Sequence, residues 1–316
     1  VTRSSKTQLT HEQRQAFGRV GVLYGGLSAE REVSLNSGEA VAKALESLAI
    51  ETVRIDVQAN AIDQLRAAKI DRAFIALHGA GGEDGRMQAL LEYLAIPYTG
   101  SGVKSSALAM DKLRCKFMWQ GMGLATPKFE LLSATSNWQQ VIGELGAVMV
   151  KPASEGSSIG MAPAHNAQEL EQAYFEAVKY DRSVIAEQLI SGAEYTVSIL
   201  GDEVLEPIKL ETDHQFYDYD AKYIANDTRY LCPCGLPPEA DKQLRQLCLH
   251  AFNSLDCEGW GRVDCMADEQ GNFYLLEVNT SPGMTDHSLV PMSAAAENMD
   301  FADLVLNILQ HSLASK

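Results

Sequence analysis

The sequence predicts an N-terminal parallel α/β unit followed by mixed α+β structure, and three observations point there. Short apolar runs alternate with helical patterns over residues 19–77, the order of a parallel sheet with right-handed crossovers. After about residue 110 the alternation lapses, and strand and helix signals follow one another irregularly. A chain of 316 residues also has room for two or three domains with substantial cores.

The first run, RVGVLY at 19–24, ends in Gly25-Gly26 and suits a buried parallel strand that feeds a glycine turn. In the helix that follows, Val41, Leu45 and Leu48 fall on one face, and Ser34 or Asn36 is the candidate cap. Residues 51–55 supply a second strand, 62–68 a helix, and 73–77 a third strand that runs into the loop HGAGGEDG at 78–85. Ligand groups should gather at the C-terminal edge of such a sheet, near Gly25 and His78. Beyond 98–102 the pattern is helical through Ala107 and Met110 to Met118, with a domain boundary near Met110 and a break over 121–127. Strands are expected at 128–132, 147–151, 184–187 and 195–200, with helices at 166–179 and 239–255. Residues 260–266 and 273–278 flank a turn at 268–272 and read as a hairpin, and a helix at 301–313 closes the chain.

Charge narrows the function. Asp and Glu number 42 against 26 Lys and Arg, a net −16, which disfavours nucleic acid and anionic membrane surfaces as partners. Any anionic ligand must be met by a local exception. No apolar run reaches the ~20 residues that cross a bilayer, so no membrane span is expected. The six cysteines lack the spacing of a disulfide framework and read as reduced, cytosolic thiols. Cys232-Pro-Cys234 has no second pair at zinc-finger spacing, so no metal is assigned to sulfur. Residues 1–18 are polar, contain no signal-peptide core, and are expected to form a flexible tail.

The hairpin carries the first chemistry. Glu277 and Asn279 are two apart and share a strand face, and placing Asp264 opposite Glu277 centres the hairpin between Gln270 and Gly271, inside the turn. Two carboxylates and an amide oxygen are hard ligands of the kind Mg²⁺ accepts beside phosphate and water. Arg262 points to the same face, while Val263, Cys265, Leu275 and Val278 suit a core side. A solvated polar face is the plain alternative. The second feature, VKPASEGSSIG at 150–160, is a strand end running into a Gly/Ser loop whose backbone N–H groups can cradle phosphate beside Lys151; a mobile surface loop would read the same way. No Walker A motif or G-x-G-x-x-G fingerprint occurs, and no G-x-S-x-G stands at a strand-to-helix elbow, so P-loop, dinucleotide oxidoreductase and serine hydrolase classes lack support. Lys112, Lys151, Lys222 and Arg262 are the candidate anion binders in an acidic chain, and His78 opens a glycine loop where a ligand role and a local hydrogen bond are both open.

Seven segments in order, GGLSAEREVSLNSG (25–38), HGAGGEDG (78–85), YTGSGVKSSALAMDK (98–112), VKPASEGSSIG (150–160), FYDYDAKY (216–223), GWGRVD (259–264) and LLEVNTSPGMTDHSLVP (275–291), resemble the D-alanine–D-alanine ligases of the ATP-grasp superfamily. The likeness runs from about residue 19 to the C-terminus and leaves out the first 18 residues, which should be dispensable. It implies the ATP-grasp fold: an N-terminal α/β substrate-binding domain (19–110), a central small domain (111–192) and a C-terminal domain with a metal site (193–316), with ATP gripped between the last two. The implied activity joins two D-alanines through an acyl phosphate, releasing ADP and phosphate, for peptidoglycan precursor synthesis.

Residue by residue, the resemblance assigns Lys112, Lys151 and Lys222 to ATP, and Lys222 to the substrate as well, with Glu155, Gly156, Ser157 and Ser158 closing over the phosphates. Glu187, Gln188, Leu189 and Ile190 would contact adenine, and Glu194 the ribose. Asp264, Glu277 and Asn279 match a site for two Mg²⁺, with Mn²⁺ as a substitute and room for a monovalent cation such as K⁺. Arg262 and the Gly283 N–H would stabilise an oxyanion. Glu30 would bind the first D-alanine's ammonium, with His78 and Glu83 beside it; Ser288 and Leu289 would receive the second one's carboxylate. Ser157, Tyr223 and Glu30 would form a hydrogen-bonded triad, and Tyr223 favours an amine acceptor over D-lactate. A cytoplasmic homodimer is the implied setting. The alternatives are an ATP-grasp ligase with another acceptor and a non-catalytic nucleotide-binding module.

Overall fold

The computed structural model describes residues 9–211, 228–285 and 287–314. The FYDYDAKY segment, with Lys222 and Tyr223, lies outside the described residues. Among them no helix is long and apolar enough to cross a membrane.

Helix α1 (His11–Phe17) precedes the first strand, and for residues 9–17 this corrects the expectation of a flexible tail over 1–18. Thr10 and Gln13 cap it reciprocally: the Gln13 N–H donates to Thr10 Oγ1 at 3.2 Å and the Thr10 N–H to Gln13 Oε1 at 2.8 Å. Leu9 and Phe17 are buried in one core with Val20, Val22, Val41 and Leu45. The segment reads as polar because a single short helix needs only these two apolar residues to dock, so residues 9–17 are part of the packed structure.

The first sheet is parallel, in the order β2 (Thr52–Val57), β1 (Val20–Gly25), β3 (Arg72–Ile75). Helices α2 (Arg31–Ser47) and α3 (Ala61–Ala68) make the crossovers. With β1 central, the loops after β1 and β3 leave side by side, the place where open α/β sheets bind ligands. Ser34 does not cap α2, since the N-cap is Glu30 and Ser34 and Asn36 lie inside the helix. The Ser34 hydroxyl instead bolts helix to sheet, accepting from the Gly25 N–H at 2.9 Å and donating to the Ala76 carbonyl at 2.6 Å.

After α4 (Arg86–Tyr93) and α5 (Val103–Met110), Asp111 turns extended, caps α6 (Lys112–Gly121) by accepting from the Arg114 N–H, and so breaks what the sequence reads as one helix. The second sheet is antiparallel, ordered β4 (Phe129–Leu132), β7 (Val184–Gln188), β5 (Val148–Pro152), β6 (Ala162–Ala164). Helices α7 (Trp138–Leu145) and α8 (Ala167–Ala177) cover it through Val141, Leu170 and Ala173.

The third sheet runs β11 (Arg229–Leu231), β10 (Ile208–Glu211), β8 (Gly192–Leu200), β12 (Trp260–Asp268), β13 (Phe273–Asn279), with β9 (Glu203–Val204) beside β8. Its core takes Leu244, Cys248, Ala251 and Phe252 from α9 (Pro238–Ser254) and also Cys115 and Trp119 from α6. By its packing, α6 therefore belongs with the third sheet although it falls within residues 111–192. Two helices end the chain, α10 (Leu289–Ala296) and α11 (Phe301–Ala314); Leu304, Val305, Ile308 and Leu309 of the latter pack with Val20, Val22 and Phe74 of the first sheet. All six cysteines are free.

Within the β12–β13 hairpin the register pairs Asp264 with Glu277 and Arg262 with Asn279, then shifts so that Cys265 faces Leu275. The extra residue is Leu276. This bulge resolves a parity conflict in the sequence: Leu275 and Val278 are three apart, which a regular strand would place on opposite faces, yet both enter the core.

Candidate active site

Two adjoining cavities lie where the three sheets meet. The first, about 510 Å³, opens between the second and third sheets. Its wall includes Lys112, Lys151, Glu155, Gly156, Ser157, Ser158, Glu187, Gln188, Leu189, Ile190, Glu194, Asp264 and Glu277. The second, about 870 Å³, lies against α2 and is lined by Glu30, His78, Glu83, Arg262, Asn279, Gly283, Ser288 and Leu289 among others. Lys112, Gly156, Ser157 and Glu277 belong to both linings, so the cavities share a wall.

Strand β5 places Lys151 at the first cavity, where its ammonium donates to Glu187 Oε1 at 2.5 Å. Burial pushes the Glu187 carboxyl up, but the Lys116 and Lys151 ammonium groups outweigh that and hold it below its ordinary range. Lys112 opens α6, and its Nζ donates to the Glu155 carbonyl at 2.7 Å and lies 3.0 Å from Glu277 Oε2. Burial works against the Lys112 charge; Glu277 more than compensates and raises its pKa.

On the hairpin, Asp264 accepts from Thr196 Oγ1 at 2.6 Å and from Arg262 Nε and Nη2 at 2.9 and 2.8 Å. The Asn279 amide oxygen accepts from the Ser281 N–H at 3.0 Å. Each carboxylate of this face thus sits beside a cation, Arg262 for Asp264 and Lys112 for Glu277. Two carboxylates and an amide oxygen within one strand pair are a donor set that fits hard divalent cations.

Over this face lies the loop after β5. Ser154 N–H donates to Asp181 Oδ2 at 2.9 Å, anchoring its start. Ser157 and Ser158 both take left-handed backbone, φ 51° and 60°, an uncommon choice for two successive non-glycine residues. The Ser157 hydroxyl donates to Glu30 Oε1, which links the loop to the N-terminal sheet. Glu30 is set by the GGLSAE turn: Ser28 Oγ donates to the His78 carbonyl at 2.7 Å and accepts from the Glu30 N–H at 3.2 Å, while Arg31 grips Asp56 with two hydrogen bonds. Gly79 is required here, because its φ is +68° and a Cβ would stand 2.5 Å from Glu30 Oε2.

His78 is buried, and both ring nitrogens are used within the protein. Nδ1 lies 2.8 Å from the Ser281 carbonyl and must donate; Nε2 lies 2.9 Å from Ser37 Oγ, which also accepts from the Met284 N–H at 3.0 Å. His78 thereby staples α2 to the loop carrying Gly283. Glu83 is buried 3.7 Å from His78 Nδ1, and burial raises its carboxyl against the pull of that ring. Gly283 packs so closely that a Cβ would meet Ser288 Oγ at 2.9 Å. Ser288 is the N-cap position of α10, its hydroxyl accepting from the Thr285 N–H at 2.9 Å, and Leu289 is the helix's first residue; both line the second cavity.

Family models of the D-ala D-ala ligase C-terminus and N-terminus match residues 118–310 and 58–101. The chain belongs to the D-alanine–D-alanine ligase family. A D-alanine–D-alanine ligase of Pseudomonas putida is 57% identical over 303 residues, which cover 96% of this chain and 95% of the relative, and one from Saccharophagus degradans is 56% identical over 299 residues, covering 94% and 95%. Among solved structures, a D-alanine–D-alanine ligase of Bacillus anthracis superposes with TM-score 0.85 at 35% identity, over 94% of this chain and 98% of that one. The same enzyme complexed with ATP superposes with TM-score 0.82 at 33% identity over the same shares. The fold is the ATP-grasp fold of these ligases.

Several polar groups of the site escape sequence reasoning. Thr196 touches Asp264 from a strand that carries no motif, and Ser37 touches His78 from within the GGLSAEREVSLNSG segment, where no signal distinguishes its hydroxyl from those of its neighbours. Lys116 had one: it lies four residues after Lys112 and so on the same helix face.

Proposed function

We propose that this chain joins two D-alanine molecules at the expense of ATP, giving D-alanyl-D-alanine, ADP and phosphate for peptidoglycan precursors. The observation that carries the reading is the shared wall of the two cavities. A phosphate donor in the first and a carboxylate acceptor in the second would meet at Lys112, Ser157 and Glu277.

ATP occupies the cavity between the second and third sheets. Glu187, Gln188, Leu189 and Ile190 take the base, Glu194 the ribose, and Lys112, Lys151 and Lys222 the phosphates, under the loop of Glu155, Gly156, Ser157 and Ser158. Asp264, Glu277 and Asn279 would hold Mg²⁺, which when bound neutralises charge on the transferred phosphoryl group. Glu30 accepts from the ammonium of the first D-alanine, whose carboxylate attacks the γ-phosphorus; the bond to ADP breaks and an acyl phosphate forms. A carboxylate is a poor electrophile, and phosphorylation supplies the leaving group.

The second D-alanine places its carboxylate at Ser288 and Leu289, where helix N–H groups favour an anion. Its amine, once deprotonated, attacks the acyl carbon. Arg262 and the Gly283 N–H stabilise the oxyanion, and phosphate departs as the amide forms. Ser157, Glu30 and Tyr223 keep the loop closed over the reacting groups, with His78 and Glu83 supporting the pocket.

The same reading divides the chain into units at 19–110, 111–192 and 193–316, with α6 packed against the third, and sets it in the cytoplasm as a homodimer. ATP, Mg²⁺ and D-alanine should together release phosphate and yield the dipeptide. Absence of phosphate release, or preference for D-lactate at neutral pH, would overturn the proposal.

A further inference from the structure

Lys116 is a lysine with no water contact, at 0% exposure. Its Nζ pairs with Glu187 Oε2, donates to Thr126 Oγ1 at 2.7 Å, and lies 5.7 Å from the centre of the Phe129 ring. Thr126 passes the connection on, its hydroxyl donating to the Leu275 carbonyl of β13 at 2.8 Å. Glu187 is held on its other oxygen by Lys151. Glu187 and Lys151 line the first cavity, whereas Lys116 stands behind them.

Burying an ammonium is unfavourable until its partners compensate, and an apolar residue of similar length would fill the same space without that penalty. A role confined to packing therefore does not explain a lysine. What the charge does is visible in its contacts. A carboxylate with one ammonium on each oxygen has its rotamer fixed; with Lys151 alone, Glu187 and Lys151 could turn together. Burial pulls the Lys116 pKa down to about 8 while Glu187 opposes that shift; Lys151 and Cys115 are the other titratable groups that bear on it.

We propose that Lys116 is a positioning residue for nucleotide binding: it fixes Glu187, and through it Lys151, in the wall of the first cavity, and through Thr126 ties that wall to β13, the strand of Glu277. The inference rests on the reading of this cavity as the ATP site.

The test is calorimetric titration of the full chain with Mg²⁺ and ATP in the absence of D-alanine, together with separate KM values for ATP and D-alanine. Lys116→Met should weaken ATP binding and raise the ATP KM at least about fivefold, with the D-alanine KM within about twofold and the circular dichroism spectrum intact. Thr126→Val should act in the same direction by less. Combining Lys116→Met with Glu187→Gln should weaken binding no further than Glu187→Gln alone, because one substitution acts through the other. Unchanged ATP affinity in folded Lys116→Met, equal rises in both KM values, or additive losses in the double variant would each overturn the inference. Should Lys116→Met fail to fold, Thr126→Val decides, and ATP affinity equal to the parent's would overturn it. If the parent binds no ATP, the inference falls with the reading of the cavity; if the parent binds ATP but forms no dipeptide, only the proposed reaction falls.

Discussion

Asp264 receives three hydrogen bonds from two neighbours, and Glu277 directly across the ladder has a lysine at 3.0 Å. These carboxylates hold their geometry through charge compensation, and the same charges suit them to a divalent cation. Asp264→Ala or Glu277→Ala should therefore lower kcat by at least about a hundredfold at saturating Mg²⁺, with secondary structure intact by circular dichroism. Near-normal turnover would mean that the metal site lies elsewhere. The shared face of Glu277 and Asn279 was readable from the strand period, but the pairing of Asp264 with Glu277 depends on the bulge at Leu276, since the register nearer the turn, Cys265 with Leu275, continued regularly would put Asp264 opposite Leu276. The helix face that Lys116 shares with Lys112 was readable but its burial was not, since a lysine on a helix is ordinarily solvated and this burial depends on Glu187, which arrives from a distant strand.

Elements with their own periodicity were legible, and elements defined by what they pair with were not. The hairpin, α2 and α9 carry apolar residues at strand or helix spacing, so local sequence places them. By contrast β9, β10 and β11 span only two to four residues each and exist because a neighbour offers an edge, β8 for β9 and β10, and β10 for β11. Helix α10 has no counterpart among the elements expected from the sequence; its Pro291 is tolerated because in the first turn no i−4 hydrogen bond is lost. Helix α1 was mistaken for tail for the reason that makes it testable: its docking rests on few apolar contacts, with Phe17 only 2% exposed. Phe17→Ala should destabilise the N-terminal sheet by about 3 kcal/mol, seen as an earlier denaturant transition. A change within about 0.5 kcal/mol would restore the view of this segment as dispensable.

At the scale of the molecule, the site depends on three sheets being brought together: Glu30 comes from the first, Lys151 and Ser157 from the second, Asp264 and Glu277 from the third. Between the first and second, one contact at the site is the Ser157 hydroxyl on the Glu30 carboxylate. A hydrogen bond to a charged group contributes about 1.5–3 kcal/mol, so removing it should lower kcat/KM for D-alanine by about tenfold to a hundredfold if closure and catalysis use it. Because Ser157 sits at φ 51°, loss of the hydroxyl must be separated from loss of backbone geometry. Ser157→Ala removes the hydroxyl and leaves a Cβ in a strained region; Ser157→Gly removes the hydroxyl and relieves that strain. Equal losses in both variants, with ATP binding retained, assign the effect to the link between sheets. Recovery of activity in Ser157→Gly alone would assign it to the loop's backbone, and the coupling of the N-terminal sheet to the phosphate loop would then have to run through other residues.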